Sequence, residues 1–108
     1  MKVMSYGTTY EVQPYVKKYY NGNLAIRLDY FDEDLQGWLP FVNLTVNFEN
    51  KLSEDQAYVD TNNCPWAEEF IEEYQLGEDT GRIKMSGYCF YPLYRFNLEK
   101  IKEYEDRV

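Results

Sequence analysis

Nineteen carboxylates and twelve tyrosine phenols are the side chains of this 108-residue chain that could do chemistry, and histidine is absent. Without histidine the usual general base near neutral pH and the commonest metal ligand are missing. Serine–histidine and cysteine–histidine nucleophilic pairs cannot form. Cys64 and Cys89 have no neighbouring base and are too few to close a structural zinc site, so both read as small buried hydrophobes. A bond between them would need an oxidising compartment, and nothing in the sequence points to one. No phosphate-cradling GxxxxGK[ST] or GxGxxG loop occurs. Close carboxylates can work as acid and base when an apolar setting raises one pKa, yet no acidic pair here sits in an apolar motif. The expectation is a protein that is not an enzyme, with no catalytic residue, no cofactor and no metal.

One loop comes close to a metal motif. Asp32-Glu33-Asp34-Leu35-Gln36-Gly37 puts acids at positions one and three and glycine at six, as a calcium loop does. The twelfth position is Asn43 instead of glutamate, and strand patterns flank the loop where helices should. It reads as a solvated hairpin turn.

The acids carry more information as a surface than as chemistry. Trp66 to Asp79 holds Glu68, Glu69, Glu72, Glu73, Glu78 and Asp79 with no lysine or arginine. Glu68/Glu72 and Glu69/Glu73 are like-charge pairs four apart, each costing a few tenths of a kcal/mol against a mixed pair. Their carboxylates, about 6 Å apart along a helix, are spaced on the scale of successive backbone phosphates. The commoner role of such a face is solubility. The net charge of −8 argues against binding nucleic acid or an anionic membrane, which both need surplus lysine and arginine. Tyr88, Phe90, Tyr91, Tyr94 and Phe96 could stack on nucleobases, but only Arg82, Lys84 and Arg95 lie nearby. Those rings read instead as core, with phenols at its margin. Twelve tyrosines exceed what a small core needs, so some should be exposed, as interface anchors often are.

The elements that position these groups follow from period and turn chemistry. The N-terminus lacks the apolar stretch of a signal peptide, and no run of about 18 apolar residues exists, so the expected location is cytoplasmic. No linker or repeat divides the chain, which reads as one globular domain over 1–108. A β-favouring run from Tyr10 to Tyr20 meets Asn21-Gly22-Asn23, a hairpin signal. Leu24, Ile26, Leu28 and Tyr30 alternate with Ala25, Arg27 and Asp29, one set facing a core and the other water. Val42, Leu44, Val46 and Phe48 alternate in the same way, and Ala57–Asp60 reads as a short fourth strand. Pro65 suits the first turn of a helix capped by Asn63 or Cys64, and Gly77 suits the left-handed residue past its end. Arg82–Phe96 reads as extended, with Pro92 confining it to an edge or bend. Asn97 caps a last helix carrying Leu98, Ile101 and Tyr104. The expected fold is α+β, an antiparallel sheet of four to five strands with two helices packed on one face.

The segment Ala57-Tyr-Val-Asp-Thr-Asn-Asn-Cys-Pro-Trp-Ala-Glu-Glu-Phe-Ile-Glu-Glu is distinctive, as are Gly81-Arg and Ser86-Gly-Tyr-Cys-Phe-Tyr-Pro-Leu-Tyr-Arg-Phe-Asn-Leu-Glu-Lys. With Asn21-Gly-Asn-Leu-Ala-Ile and Leu44-Thr-Val-Asn, they resemble a family of small bacterial proteins known only as a domain of unknown function. Its members occur largely in gut bacteria, often on plasmids and conjugative elements. The resemblance implies a cytoplasmic, single-domain protein of mobile DNA, and it brings no reaction or catalytic residue with it. Within the motif, Asp60, Thr61, Asn62 and Asn63 have side chains that bond back to nearby backbone and fix a strand-to-helix turn.

Together these readings give an acidic interaction protein whose partner is a basic protein surface, with an anti-CRISPR or anti-restriction inhibitor of a host nuclease as the concrete form. The residues expected to meet that partner are Glu68, Glu69, Glu72, Glu73, Asp32, Glu33 and Asp34. The competing reading is a small-ligand module in which Asn62, Asn63 and Trp66 line a pocket. Direct binding of nucleic acid or membrane is not expected, and the sequence does not set the oligomeric state.

Overall fold

The computed structural model describes residues 1–105. Its first four strands are β1 (Lys2–Ser5), β2 (Thr8–Lys18), β3 (Leu24–Asp32) and β4 (Gly37–Asn43), which pair antiparallel in chain order as one sheet. Then come β5 (Thr45–Val46), β6 (Gln56–Val59), helix α1 (Ala67–Glu73), β7 (Gly77–Ser86), β8 (Cys89–Phe96) and helix α2 (Leu98–Glu103). The later strands form a second antiparallel sheet in the order β5-β6-β8-β7. The α+β class therefore holds, with eight strands among the described residues divided between two sheets in place of a single sheet of four to five.

Leu44 explains the division. The alternation over Val42–Phe48 suggests one strand, but the chain changes sheets at Leu44. Its N–H donates to the Ile26 carbonyl at 2.9 Å, in the first sheet, and its carbonyl accepts from the Asp60 N–H at 2.9 Å, beside the second. Leu44 has no exposed surface and sits in one core cluster with Val12, Leu28, Val59, Phe70, Ile71, Phe96 and Ile101. Both sheets and both helices thus share a core.

The segment between β5 and β6 is fixed by asparagines. Asn23, 2% exposed, donates from Nδ2 to the Asn50 carbonyl (2.9 Å) and Asn47 Oδ1 (3.1 Å), and its Oδ1 accepts from the Leu52 N–H (2.9 Å). Asn21 Nδ2 donates to the Phe48 carbonyl at 3.1 Å. The hairpin signal Asn21-Gly22-Asn23 is correct in place, with Gly22 at φ +85°, but its amides also hold a remote loop. The expectation that Asp29 faces water is not met: it is 1% exposed, and Arg27 grips it through Nε at 2.6 Å and a second nitrogen at 3.1 Å. β3 is an inner strand, and Arg27, lying over the Tyr15 ring at 4.6 Å, shields the face that alternation assigned to solvent.

The end of α1 departs from expectation in an instructive way. The left-handed residue is Gln75, at φ +55°. Its N–H donates to the Glu72 carbonyl and that of Leu76 to the Ile71 carbonyl, which is a Schellman ending. Gly77 instead opens β7, where a Cβ would lie 2.6 Å from the Arg95 carbonyl oxygen. α2 is capped as expected, with Asn97 Oδ1 accepting from the Lys100 N–H at 3.1 Å.

Candidate interaction surfaces

The turn before α1 is held by Asp60, 8% exposed at the end of β6. Asp60 accepts from the Asn63 N–H (3.2 Å), Asn63 Nδ2 (2.9 Å) and, through its carbonyl, the Cys64 N–H (2.9 Å). The cap of α1 is Trp66, which makes no side-chain capping bond, so neither Asn63 nor Cys64 holds that position. The reason is that Asp60 already closes the preceding turn and takes up the Asn63 amide. Trp66 stacks on Phe41 of β4, centroids 6.4 Å apart and planes 13° from parallel. Asn62 is exposed. Asn63 and Trp66 are thus engaged with different parts of the fold.

Trp66 also belongs to a row of rings that accounts for many of the aromatics. Tyr30 meets Tyr10 at 5.8 Å, Tyr10 meets Phe41 at 4.5 Å, and beyond Trp66 the row continues to Phe70 (5.6 Å), Tyr74 (5.2 Å) and Tyr104 (6.0 Å). It ties the first sheet to α1 and to the end of α2. Tyr74 adds a bond, its hydroxyl accepting from the Lys2 N–H of β1 at 2.8 Å. Composition hinted at an excess of tyrosine; the row itself has no signature in any local period.

The ring row turns Phe70 and Ile71 of α1 inward and leaves Glu68, Glu69, Glu72 and Glu73 exposed. Among the described residues none of the four is in an ion pair; the pairs formed are Arg27–Asp29, Arg95–Asp55, Lys100–Glu103 and the terminal ammonium with Glu11. The four divide between the helix flanks. Glu69 and Glu73 line a small cavity of about 170 Å³ with Lys2, Trp66 and Phe70. Glu72 lines a groove of about 660 Å³ with Asp55, Glu78, Arg95 and Lys100. Glu68 accepts from the Tyr94 hydroxyl at 2.8 Å. Burial, that bond, and the charges of Glu68, Asp79 and Glu72 push the Tyr94 phenol well above its ordinary value.

Asp32, Glu33 and Asp34 lie elsewhere. They line a cleft of about 630 Å³ at the β3–β4 turn with Glu11, Tyr10, Tyr30, Phe31 and Trp38. Asp32 Oδ1 accepts from the Leu35 N–H at 2.9 Å, closing the turn as a local aspartate turn. Among the described residues no group of three or more Cys, Asp or Glu side chains is placed to hold a metal ion. At the C-terminus Glu103 pairs with Lys100 and Glu105 accepts from the Val16 N–H, while Asp106 lies outside the described residues.

Sequence reasoning missed the arm formed by β7 and β8. Arg82–Phe96 is not one extended run but most of a hairpin that starts at Gly77 and turns at Gly87-Tyr88, with Gly87 at φ +60°. Ile83, Met85, Tyr88 and Phe90 are all exposed there, whereas Tyr94 and Phe96 are core. The signal was Ser86-Gly87-Tyr88, a turn bracketed by alternating residues. Pro92 sits on an inner strand, but past the end of β6, whose last partner on β8 is Leu93, and next to a bulge in β7 between Asp79 and Ile83. Both cysteines are free, Cys64 buried and Cys89 half-buried.

Residues 9–108 match a family model described as a domain of unknown function, DUF4313. The chain belongs to the DUF4313 family. The matched span takes in the asparagine-held loop, the Asp60 turn, the acidic helix and the β7–β8 arm, and leaves out β1. No curated protein and no solved structure matches the chain. Among the described residues of this DUF4313 chain no helix is long and apolar enough to cross a membrane.

Proposed function

We propose that this protein is a non-enzymatic interaction module that binds a basic surface on another protein, and that in the setting of a plasmid or conjugative element it acts as an inhibitor, of the anti-CRISPR or anti-restriction kind, by presenting charge where the partner expects nucleic acid. One observation carries the reading: α1 is anchored by Phe70 and Ile71 while its four glutamates stand exposed and free of ion pairs among the described residues. Glu78 and Asp79 follow at the start of β7, so the acidic surface continues past the helix. Asp32, Glu33 and Asp34 form a second acidic site, beside aromatic rings that suit lysine and arginine side chains. Charge-steered pairing of this kind weakens steeply with salt.

The test is affinity capture from host lysate at low salt, with the wild-type chain and a variant carrying Glu68→Lys, Glu69→Lys, Glu72→Lys and Glu73→Lys run in parallel. The expected result is recovery of a basic nucleic-acid-handling protein by the wild type, released by raised salt and absent with the variant. Equal recovery by both chains, or a partner that stays bound at high salt, overturns the reading.

A further inference from the structure

The outer half of the β7–β8 arm leaves part of a core-facing sheet surface bare. Across the hairpin Gly77 pairs with Phe96, Asp79 with Tyr94, Ile83 with Pro92 and Met85 with Phe90. Residues two apart on a strand share a face. Phe96, Tyr94, Pro92 and Phe90 therefore line one face of β8, with Ile83 and Met85 beside them on β7. At its inner end this face is closed by α1: Phe96 and Tyr94 are 2% and 7% exposed, and Glu68 of the helix meets the Tyr94 hydroxyl. Further out, Pro92 on β8 is still buried, while Ile83, Met85 and Phe90 are 61%, 63% and 55% exposed. The cause is length. α1 has seven residues, about 10 Å, while β8 has eight, about 26 Å of strand. Near Glu72 the helix borders Gly77 and Phe96, so it runs away from the arm tip. The opposite face is covered in part at the same level, with Lys84 over the Phe48 ring at 5.5 Å and Tyr91 against Phe48 at 5.4 Å, both half-buried.

We infer that this bare face docks an amphipathic helix of a partner protein, with an apolar stripe on Ile83, Met85 and Phe90 and lysine or arginine against Glu68 and Asp79. The inference rests on the basic-partner reading and names the partner's form. A helix fits because the same face already takes one at its inner end. A basic one fits because the inner border of the patch is acidic, Glu68 and Asp79 flanking Tyr94, while Lys84 and Arg95 alternate onto the opposite face, Lys84 over Phe48 and Arg95 paired with Asp55. An added strand is disfavoured, since the bulge at Asp79–Ile83, with Gly81 at φ +83°, interrupts the β7 edge. A second copy would bring two chains of net charge −8 together with their acidic borders opposed.

The experiment is a fluorescence-anisotropy titration with a labelled leucine–lysine amphipathic peptide of about 18 residues, long enough to span the patch. Its twin carrying glutamate for lysine is titrated in parallel. The proteins are wild type, the variant Ile83→Ser/Met85→Ser/Phe90→Ser, and the single variant Phe90→Ser. All three positions are exposed, so unchanged melting curves certify the fold. Tight binding of the lysine peptide to wild type, weakened about tenfold or more in the triple variant and partly in Phe90→Ser, supports the inference. Equal binding to wild type and the folded triple variant overturns it while leaving the basic-partner reading intact. Equal binding of the glutamate and lysine peptides overturns the basic-partner reading itself. No binding of the lysine peptide overturns the inference, as does sedimentation showing a wild-type dimer that the triple variant abolishes, which would make a second copy the occupant.

Discussion

Asn23 and Cys64 illustrate how single buried polar groups stabilise this chain. Asn23 satisfies the Leu52 N–H and the Asn50 carbonyl while hidden from water. Asn23→Ala should leave those groups unpaired and cost about 2 to 3 kcal/mol, read as a lower urea midpoint. Cys64 has no exposed surface, and burial, with Asp60 adding, pushes its thiol from 9.0 up to about 11. A raised pKa means the folded state holds the proton more tightly. Its contribution is therefore complete below pH 9.0 and is lost as pH rises through about 11. The loss should be about 2 to 3 kcal/mol, seen as a larger fall in urea stability between mildly alkaline and strongly alkaline buffer for wild type than for Cys64→Ala. The same geometry predicts that an alkylating reagent on the folded protein labels Cys89 and spares Cys64. The sequence told little of this. The short-range role of Asn21-Gly22-Asn23 was legible because a turn is local chemistry. Its grip on Asn47 and Asn50 was not, because no spacing rule links residues that far apart.

At the scale of elements, legibility follows locality in the same way. Asn97 read correctly as a cap because capping reaches only three residues ahead. The end of α1 read wrongly because two demands compete there. Glycine suits the left-handed position, which Gln75 occupies at φ +55°, but Gly77 is needed where the backbone of β8 approaches too closely for any Cβ. Opposite predictions follow for neighbouring sites. Gln75→Gly should raise stability by a few tenths to about 1 kcal/mol by removing left-handed strain. Gly77→Ala should lower it by about 1 to 3 kcal/mol by overpacking against Arg95. Thermal melts of the two variants check both signs. β3 makes a related point: alternation identified its inward face, Leu24, Ile26 and Leu28, but could not foresee that Arg27 would bury Asp29 on the other. Of the candidate site, the acidic and exposed nature of α1 was legible from helical period. The arm was not, because its apolar residues look like ordinary core until the length of α1 is compared with that of β8.

The whole molecule combines a body of strong negative charge with one segment of the opposite kind. From Gly81 to Leu98 there are Arg82, Lys84 and Arg95 and no acid, against a net charge of −8 for the chain. Self-repulsion at that net charge works against the compact state, and salt screens it. Raising sodium chloride from low to physiological strength should lift the melting temperature by about 2 °C. The wild-type chain should gain more than a variant with Glu69→Lys and Glu73→Lys, and a fall with salt in differential scanning calorimetry would contradict this account. The α+β class followed from counting strand and helix periods. The split into two sheets did not, because Leu44 is an unremarkable member of an alternating run until one of its backbone bonds is seen to reach the first sheet and the other the residue that follows β6 of the second.

The crossing at Leu44 also orders events while the polypeptide is being made. Every strand on its N-terminal side pairs with its immediate chain neighbour, so this meander can assemble as it leaves the ribosome. The pairing of β6 with β8 must wait until α1 and β7 have emerged, since both lie between them in the chain. During that interval the hydrophobic side of the finished half is bare, and a delay in translation after Val59 would prolong its exposure to chaperones and proteases.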